Sequence, residues 1–206
     1  MLDLGICSTH LDNPIRGFSF LSDGPLDMRM NTQNPLSAYE VINEYSPEEL
    51  QGIFRVFGEL RIAKKLAYII VAKRSQSPIK STQALVNLLA PSLPKNIFNK
   101  IIAQVFQAIR IEVNAEMDVI KLFLEQSVKA LNRGGRLVCI SYHSLEDRLV
   151  KLFIREGKFE GKAESDLYGN RNLPFRKIGN LQVPSEDEIK ENSRARSGKL
   201  RIGERI

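Results

Sequence analysis

Residues 134–148 read GGRLVCISYHSLEDR. The glycine pair is typical of the turn that follows a helix, because glycine tolerates the left-handed backbone that such turns require. Residues 137–141 form an unbroken, mostly apolar run, which predicts a strand buried on both faces. A capping-box pattern from Ser144 to Asp147 then predicts the start of another helix. Helix, turn, buried strand, loop and helix in this order predict an αβα unit of an open parallel sheet.

A second buried strand is predicted at residues 2–6, directly before a polar loop. A parallel strand needs neighbours that satisfy its backbone and helices that cover its faces. We therefore expect it to share a sheet with the strand at residues 137–141, and we expect further sequence ahead of Met1. Residues 156–184 are polar and predict a flexible connection, and residues 196–205 predict a short final strand.

The sequence between the two buried strands predicts helices. Ser46, Pro47 and Glu49 form a helix start, with a serine cap, a proline in the first turn and a capping-box glutamate. The stretches with apolar residues at helical spacing are residues 60–74, 82–89 and 98–113.

Residues 11–29 have no helical or strand period and predict a long loop, which apolar side chains such as Phe18 and Met28 keep ordered. We therefore predict an inserted all-helical substrate-recognition domain at residues 11–113. Residues 1–10 and 114–206 are predicted to form the sheet domain around it.

The composition is that of an ordinary globular protein. The 206 residues are 43% hydrophobic and 26% charged, with a formal net charge of +6. A basic excess favours an anionic partner, nucleic acid above all, although many enzymes without such a partner share it. Two cysteines and two histidines argue against a disulfide framework and a metal site. No membrane-length apolar run and no secretory signal is present, so we expect a reduced, cytoplasmic protein without membrane contact.

Functional side chains follow both predicted buried strands. Ligands of an open parallel sheet bind outside the carboxyl ends of its strands. Asp3 lies in the predicted tail of the first strand and His10 follows it, and His143 and Ser144 follow the second strand. Each also has an ordinary interpretation: Asp3 as the cap of a turn, the histidines as loop residues, and Ser144 as a helix cap.

Several stretches along the whole chain carry a more specific signal. They are DLGICS (3–8) with HLD (10–12), RGFSF (16–20), DGPLDMRM (23–30), FQAIRI (106–111) with VN (113–114), GGRL (134–137) with ISYHSLEDR (140–148), and NSRARS (192–197) with KLR (199–201). In this order they resemble the motifs of the ribosomal RNA small subunit methyltransferase H family (RsmH, also called MraW). Any one of them alone would be weak, and the full set in order is specific.

The resemblance implies an α/β fold: an incomplete class I (Rossmann-like) S-adenosylmethionine methyltransferase sheet with an inserted all-helical domain. It implies methyl transfer from S-adenosylmethionine to N4 of a cytosine in 16S ribosomal RNA of the small subunit. It leaves open whether the protein forms a homodimer. The exocyclic amine is a poor nucleophile because its lone pair is delocalised into the ring. The enzyme must therefore align the amine with the methyl group and accept its protons.

The resemblance also implies roles for individual residues. Asp3 is expected to contact the cofactor, as is His10, which stands where the family usually has glutamine. The residues expected around the target base, with no catalytic base assigned, are Asp27, Arg29, His143 and Ser144. The residues suited to RNA phosphate or backbone contacts are Arg194, Arg196, Lys199 and Arg201. Two alternatives stay open: Asp27 and Arg29 pairing only with each other to brace the loop, and the C-terminal cations forming a solvated strand.

Two departures from the family pattern bear on activity. The family carries a glycine-rich cofactor turn and an acidic ribose-binding residue ahead of its DLGVSS stretch, and only Met1 precedes Leu2 here. We therefore expect this chain of 206 residues, taken alone, to bind S-adenosylmethionine weakly or not at all. The alternative is a non-catalytic RNA-binding remnant. The second departure is Leu60, which stands where the family usually has a second acidic residue. A further alternative is an unrelated hydrolase that uses His143 and Asp147, but no nucleophile-elbow motif accompanies them.

Overall fold

The computed structural model describes residues 1–165, 168 and 171–206. It divides into two compact units. The helical unit comprises residues 6–116, and the sheet unit comprises residues 1–5 with 117–206. The predicted boundaries, after residue 10 and after residue 113, differ from these by a few residues. Each unit has an apolar core of its own.

The helical unit contains six α-helices, among them the three that the apolar spacing predicts. They are α1 (Ser8–Asp12), α2 (Ala38–Glu44), α3 (Pro47–Val56), α4 (Ala63–Arg74), α5 (Thr82–Leu89) and α6 (Phe98–Val113). Within residues 6–116, all of which the structure describes, the β pairing is limited to an isolated bridge between Pro25 and Ser81. The predicted bounds of α5 and α6 are confirmed, and α4 begins three residues later than the predicted apolar run. The short α1 was not predicted.

Capping explains where the helices of this unit begin. The Glu49 amide donates to the Ser46 hydroxyl over 3.2 Å, and the Ser46 amide donates to the Glu49 carboxylate over 2.7 Å. This is the capping box predicted for α3. A second box, between Ser37 and Glu40, begins α2. Each such cap typically contributes about 1 kcal/mol to helix stability.

The sheet unit is built on four strands, numbered in chain order. They are β1 (Leu2–Asp3), β2 (Arg136–Ser141), β3 (Phe175–Gln182) and β4 (Lys199–Arg205), arranged in the order β1-β2-β4-β3. β1 pairs with β2 in parallel, with Leu2 opposite Cys139, which confirms that the two buried strands share a sheet. β4 is antiparallel to both β2 and β3. The sheet is therefore mixed, and the prediction of a parallel sheet holds only for β1 and β2.

The helices of the sheet unit are α7 (Glu116–Ala130), α8 (Ser144–Glu156) and α9 (Glu186–Glu191). The core of this unit joins Leu124 of α7, Cys139 of β2, Phe153 of α8 and Phe175 of β3, each at most 3% exposed. Burying each such side chain contributes roughly 1.5–3 kcal/mol.

The predicted flexible connection at residues 156–184 is wrong in its second half, which forms β3. This strand is at the edge of the sheet, and its side chains after Phe175 are mostly exposed, so it lacks the apolar signal of a buried strand. Residues 166, 167, 169 and 170 of that stretch lie outside the described residues. The predicted final strand begins at Lys199, because Ser193–Ser197 form a 3-10 helix. In the part of the chain that the structure describes, no helix is long and apolar enough to cross a membrane.

Candidate functional site

Residues 23–30 form a loop in the helical unit, here called the Arg29 loop, in which Arg29 is paired with Asp27. The Arg29 Nε donates to Asp27 Oδ1 over 3.0 Å, and Nη2 donates to Oδ2 over 2.7 Å. The third nitrogen, Nη1, donates to the Asn34 carbonyl over 2.8 Å. The contact on which the bracing interpretation depends is therefore present. A role of the two residues at a target base stays a prediction.

Side chains from elsewhere in the helical unit hold the backbone of the Arg29 loop. Asn114, which follows α6, donates to the Met28 carbonyl over 2.8 Å and accepts from the Met30 amide over 2.7 Å. The Arg16 guanidinium donates to the Arg29 carbonyl over 2.6 Å. Met28 is fully buried with φ at 57°, a conformation that non-glycine residues rarely adopt. Arg29 is thus fixed through its side chain and its backbone.

The charges of this pair decide what Asp27 can do chemically. Burial raises the pKa of Asp27, but hydrogen bonds from Arg29 outweigh it, so the pKa lies below its usual value. The hydrogen bond to Asp27 in turn raises the pKa of Arg29. Asp27 is therefore ionised at neutral pH and is a poor proton acceptor, since an efficient general base has a pKa near the operating pH.

His10 lies in α1 and stacks on Phe18, with ring centroids 5.1 Å apart and planes inclined by 17°. Burial, and then the charge of Arg16, lower the pKa of His10, so the imidazole is neutral at neutral pH. Its Nδ1 is buried and has no hydrogen-bond partner among the described residues. A buried nitrogen of this kind is suited to a ligand hydrogen bond.

Asp3 ends β1 and is exposed at the carboxyl end of that strand. Its carboxylate interacts with the hydroxyl of Tyr142, which follows β2. Burial, and then the contact with Asp3, raise the pKa of Tyr142, so the hydroxyl remains a donor. Gly5 turns the chain after Asp3 with φ at 84°, a conformation that glycine adopts readily. Asp3 is thus presented to solvent at the edge where ligands of such sheets bind.

His143 is the N-cap of α8, so the predicted capping box from Ser144 to Asp147 is wrong by one residue. The Glu146 carboxylate accepts from the amides of Tyr142, over 2.8 Å, and His143, over 3.3 Å. The Glu146 amide donates to His143 Nδ1 at 3.5 Å, and His143 Nε2 lies 3.1 Å from Glu146 Oε1. Histidine can serve as the N-cap because its ring nitrogen accepts from the backbone amide that a serine hydroxyl at this position would bind. Ser144 is the first residue of the helix.

The C-terminal cations differ in their exposure and in their ion pairs with other residues. Arg201 binds Asp147 of α8 in a bidentate pair, Nε to Oδ1 over 2.6 Å and Nη2 to Oδ2 over 3.0 Å. Lys199 lies 3.8 Å from the same carboxylate. Burial raises the pKa of Asp147, but Arg201 outweighs it and the pKa is lowered. Arg194 and Arg196 are exposed. RNA contact by these four residues stays a prediction.

The candidates thus fall into one group in each unit. In the sheet unit, Asp3, His143 and Ser144 lie at the carboxyl ends of β1 and β2. In the helical unit, Arg16 connects the other candidates: its guanidinium carbon lies 5.8 Å from the centre of the Phe18 ring on which His10 stacks, and it also binds the Arg29 carbonyl. Sequence reasoning missed Arg16, Asn114 and Glu146, although all three lie inside the quoted motifs.

An α/β sheet with polar side chains at the carboxyl ends of its parallel strands, and a helical insertion between those strands, defines a Rossmann-like ligand-binding protein. The model of the MraW methylase family matches residues 1–206. The chain belongs to the MraW methylase family, a family of methyltransferase enzymes. The resemblance seen in its motifs and the α/β fold class are thereby confirmed.

Individual relatives agree with the family match. The chain is 55% identical over 206 residues to the "Ribosomal RNA small subunit methyltransferase H" of Flavobacterium johnsoniae, covering 100% of this chain and 68% of the relative. It is 52% identical over 204 residues to the protein of the same name from Christiangramia forsetii, covering 99% and 68%. It is 47% identical over 206 residues to that of Bacteroides thetaiotaomicron, covering 100% and 68%.

Proposed function

We propose that this protein transfers a methyl group from S-adenosylmethionine to N4 of a cytosine in the 16S RNA of the small ribosomal subunit. The observation that carries the proposal is the 55% identity, over the whole chain, to a relative named as a small-subunit ribosomal RNA methyltransferase. The stretches that resemble the family's motifs contain Asp3, Asp27, Arg29 and His143. The substrate places the protein in the cytoplasm, where ribosomal subunits are assembled.

Each unit offers a polar group that suits the cofactor. Asp3 offers an exposed carboxylate, which suits the hydroxyl and ammonium groups of S-adenosylmethionine. His10 offers a buried nitrogen without a partner among the described residues, which suits one further hydrogen bond. We assign these two residues as cofactor contacts. The bound cofactor supplies an electrophilic methyl group on its sulfonium.

Arg29 is proposed to orient the target cytosine. Its guanidinium is held by Asp27 and Asn34 yet remains 25% exposed, so it presents a positive charge at a fixed point. A cation held in this way can bind the acceptor edge of the base or a neighbouring phosphate with little further loss of side-chain conformational entropy. No catalytic base is assigned to the reaction.

His143 and Ser144 are proposed to border the same base from the start of α8. Both lie at a helix N-terminus directly after β2, where backbone amides point outward. Arg194 and Arg196 are exposed and suit phosphates of the surrounding RNA, and Lys199 is partly exposed. Arg201 is the least available of the four because its guanidinium already binds Asp147.

Methyl transfer to purified ribosomal subunits tests this proposal. The protein is incubated with S-adenosylmethionine carrying an isotope-labelled methyl group and with small subunits from cells that lack the corresponding activity. The RNA is then digested and its nucleosides are identified by mass spectrometry. We expect label in N4-methylated cytidine of 16S RNA, and none when large subunits replace small ones. Label on a carbon of the base, on ribose or in ribosomal protein would contradict the proposal.

A further inference from the structure

The sheet unit contains a cleft of about 170 Å³ between α8, β3 and β4. Four basic side chains line it: Lys151 and Arg155 from α8, Lys177 from β3, and Arg201 from β4. None of its lining residues, all of which belong to the described part of the chain, is acidic. The motif resemblance assigned no role to Lys151, Arg155 or Lys177. Of the residues that line the cleft, Arg201 alone is among the proposed RNA contacts, and the other basic residues have no role in the proposed methyl-transfer site.

The charge of the cleft is only partly neutralised. Arg201 is paired with Asp147 and Arg155 with Glu156, over 2.6 and 2.7 Å. Lys151 and Lys177 are both exposed, and the amine of Lys177 donates to the Asn180 side chain over 3.4 Å. Four cations against these two carboxylates leave the cleft positive. Exposed amines beside such a cleft attract an anionic ligand.

The cleft also has an apolar lining. Ile154 is 3% exposed, and Ile178, Leu181 and Ile202 also border the cleft. An inorganic anion would gain nothing from these side chains. A single RNA strand presents both kinds of group, since its phosphates are anionic and its riboses and unstacked bases have apolar faces. The combination favours a nucleotide chain over a simple anion.

We propose that this cleft binds the phosphate backbone of a single-stranded RNA segment that flanks the target cytosine. The inference rests on the proposed function, because it takes ribosomal RNA as the substrate. β3 and β1 are the two edges of the sheet, separated by three strand spacings or about 14 Å. The register places Ile202 opposite Val138, three residues before the end of β2, so the cleft is also displaced by about 10 Å along the strands. Both displacements together correspond to a few nucleotides between RNA in the cleft and a base held at the carboxyl ends of β1 and β2. The cleft would secure the strand while those ends hold the base.

A binding experiment with matched charge changes tests the cleft. One variant carries Lys151→Gln and Lys177→Gln, which remove two positive charges from the cleft and leave its apolar lining in place. The control carries Lys121→Gln and Lys129→Gln, which remove two charges from α7 in the same unit. Binding of a fluorescently labelled single-stranded RNA of mixed sequence is followed by anisotropy at several salt concentrations, and thermal melting verifies folding. Methyl transfer to small ribosomal subunits is measured in parallel.

We expect the cleft variant to bind RNA several-fold more weakly and the control to bind like the unaltered protein. The slope of the logarithm of the binding constant against that of salt concentration should fall by about 1 for each cleft lysine that contacts a phosphate. In methyl transfer, the cleft variant should have a higher KM for subunits with kcat little changed.

Two results overturn the inference. Equal binding by the cleft variant and the unaltered protein would show that RNA does not bind in the cleft, and it would leave the proposed function intact. Equal weakening in the control would show a general charge effect. If the unaltered protein neither binds RNA nor transfers methyl groups, the proposed function itself fails.

Discussion

The Arg29 loop and the turn at residues 141–147, here called the His143 turn, carry motif residues of the same kind but are held in different ways. The Arg29 loop has no regular secondary structure around Arg29 and is held by side chains of Arg16, Asp27 and Asn114. The His143 turn lies between β2, which pairs on both sides, and α8, which begins within it, and the Glu146 carboxylate binds the amides of Tyr142 and His143.

This difference predicts different responses to mutation. Side chains that hold an irregular loop cannot be replaced by backbone contacts, so removing one leaves polar groups without partners. A turn between a paired strand and a helix keeps most of its hydrogen bonds when one side chain is removed. Charged motif residues of the Arg29 loop therefore stabilise the loop in addition to any role at the target base.

The largest effect is expected from Arg29→Ala. It removes the proposed contact with the cytosine and leaves the Asp27 carboxylate without its guanidinium. Methyl transfer should fall by about 100-fold or more because small misplacements of the base are costly in rate. The free energy of unfolding should fall by about 2 kcal/mol. Assays on small subunits together with thermal melting measure both quantities.

Arg29→Lys is the matched control for Arg29→Ala, since it keeps the charge but cannot bind Asp27 in the bidentate manner. A pure bracing role predicts that activity follows the folded fraction in both variants. If Arg29→Ala melts like the unaltered protein and still methylates at a similar rate, Arg29 has no part in the site.

Asn114→Ala should lower the free energy of unfolding by about 2 kcal/mol, since it removes hydrogen bonds to the Met28 carbonyl and the Met30 amide. The Met30 amide should then exchange faster with deuterium than in the unaltered protein. Asn99→Ala, at an exposed position of α6, the helix that Asn114 follows, is the control and should change neither quantity. Unchanged exchange at Met30 would show that Asn114 does not hold the loop.

Asp147→Asn should lower stability by about 1–2 kcal/mol at neutral pH, because it breaks the bidentate pair with Arg201. The pKa of Asp147 is lowered in the folded protein. The contribution of the pair is therefore complete above the unfolded value of about 3.9 and is lost as the pH falls through the lower folded value. Melting temperatures of variant and unaltered protein should converge below about pH 4. A difference that is the same at acid and neutral pH would contradict this account.

The smallest effect on stability is expected at the His143 turn. His143→Ala removes the N-cap of α8 and should cost about 1 kcal/mol, whereas His143→Asn supplies another capping side chain and should cost less. The asparagine variant therefore separates the two roles of His143. Normal melting with lost methyl transfer would place His143 at the base. Normal melting with full activity would reduce it to a helix cap.

Much of the fold follows from local patterns. The bounds of α5 and α6 were predicted because their apolar period is uninterrupted, and β2 was predicted because it is buried. The edge strand β3 was missed because most of its side chains face solvent and its pairing partner is β4 alone. Local sequence carries no signal for a strand of that kind.

The sequence predicted which loops carry the candidate site residues, but it did not predict which residues contact each other. The motifs located Asp27, Arg29 and His143, but the bond between Asn114 and Met30 joins residues 84 positions apart. Asp147 and Arg201 are 54 positions apart. Such pairs depend on how the chain folds back on itself, which neither spacing nor composition specifies.

The most direct test of the proposed function compares small ribosomal subunits from cells of the source organism with and without the gene for this protein. Mass spectrometry of the digested 16S RNA reports which nucleosides are methylated and how completely. The account predicts an N4-methylated cytidine that is lost with the gene and regained when the gene is restored. An equal content of N4-methylated cytidine with and without the gene would contradict it.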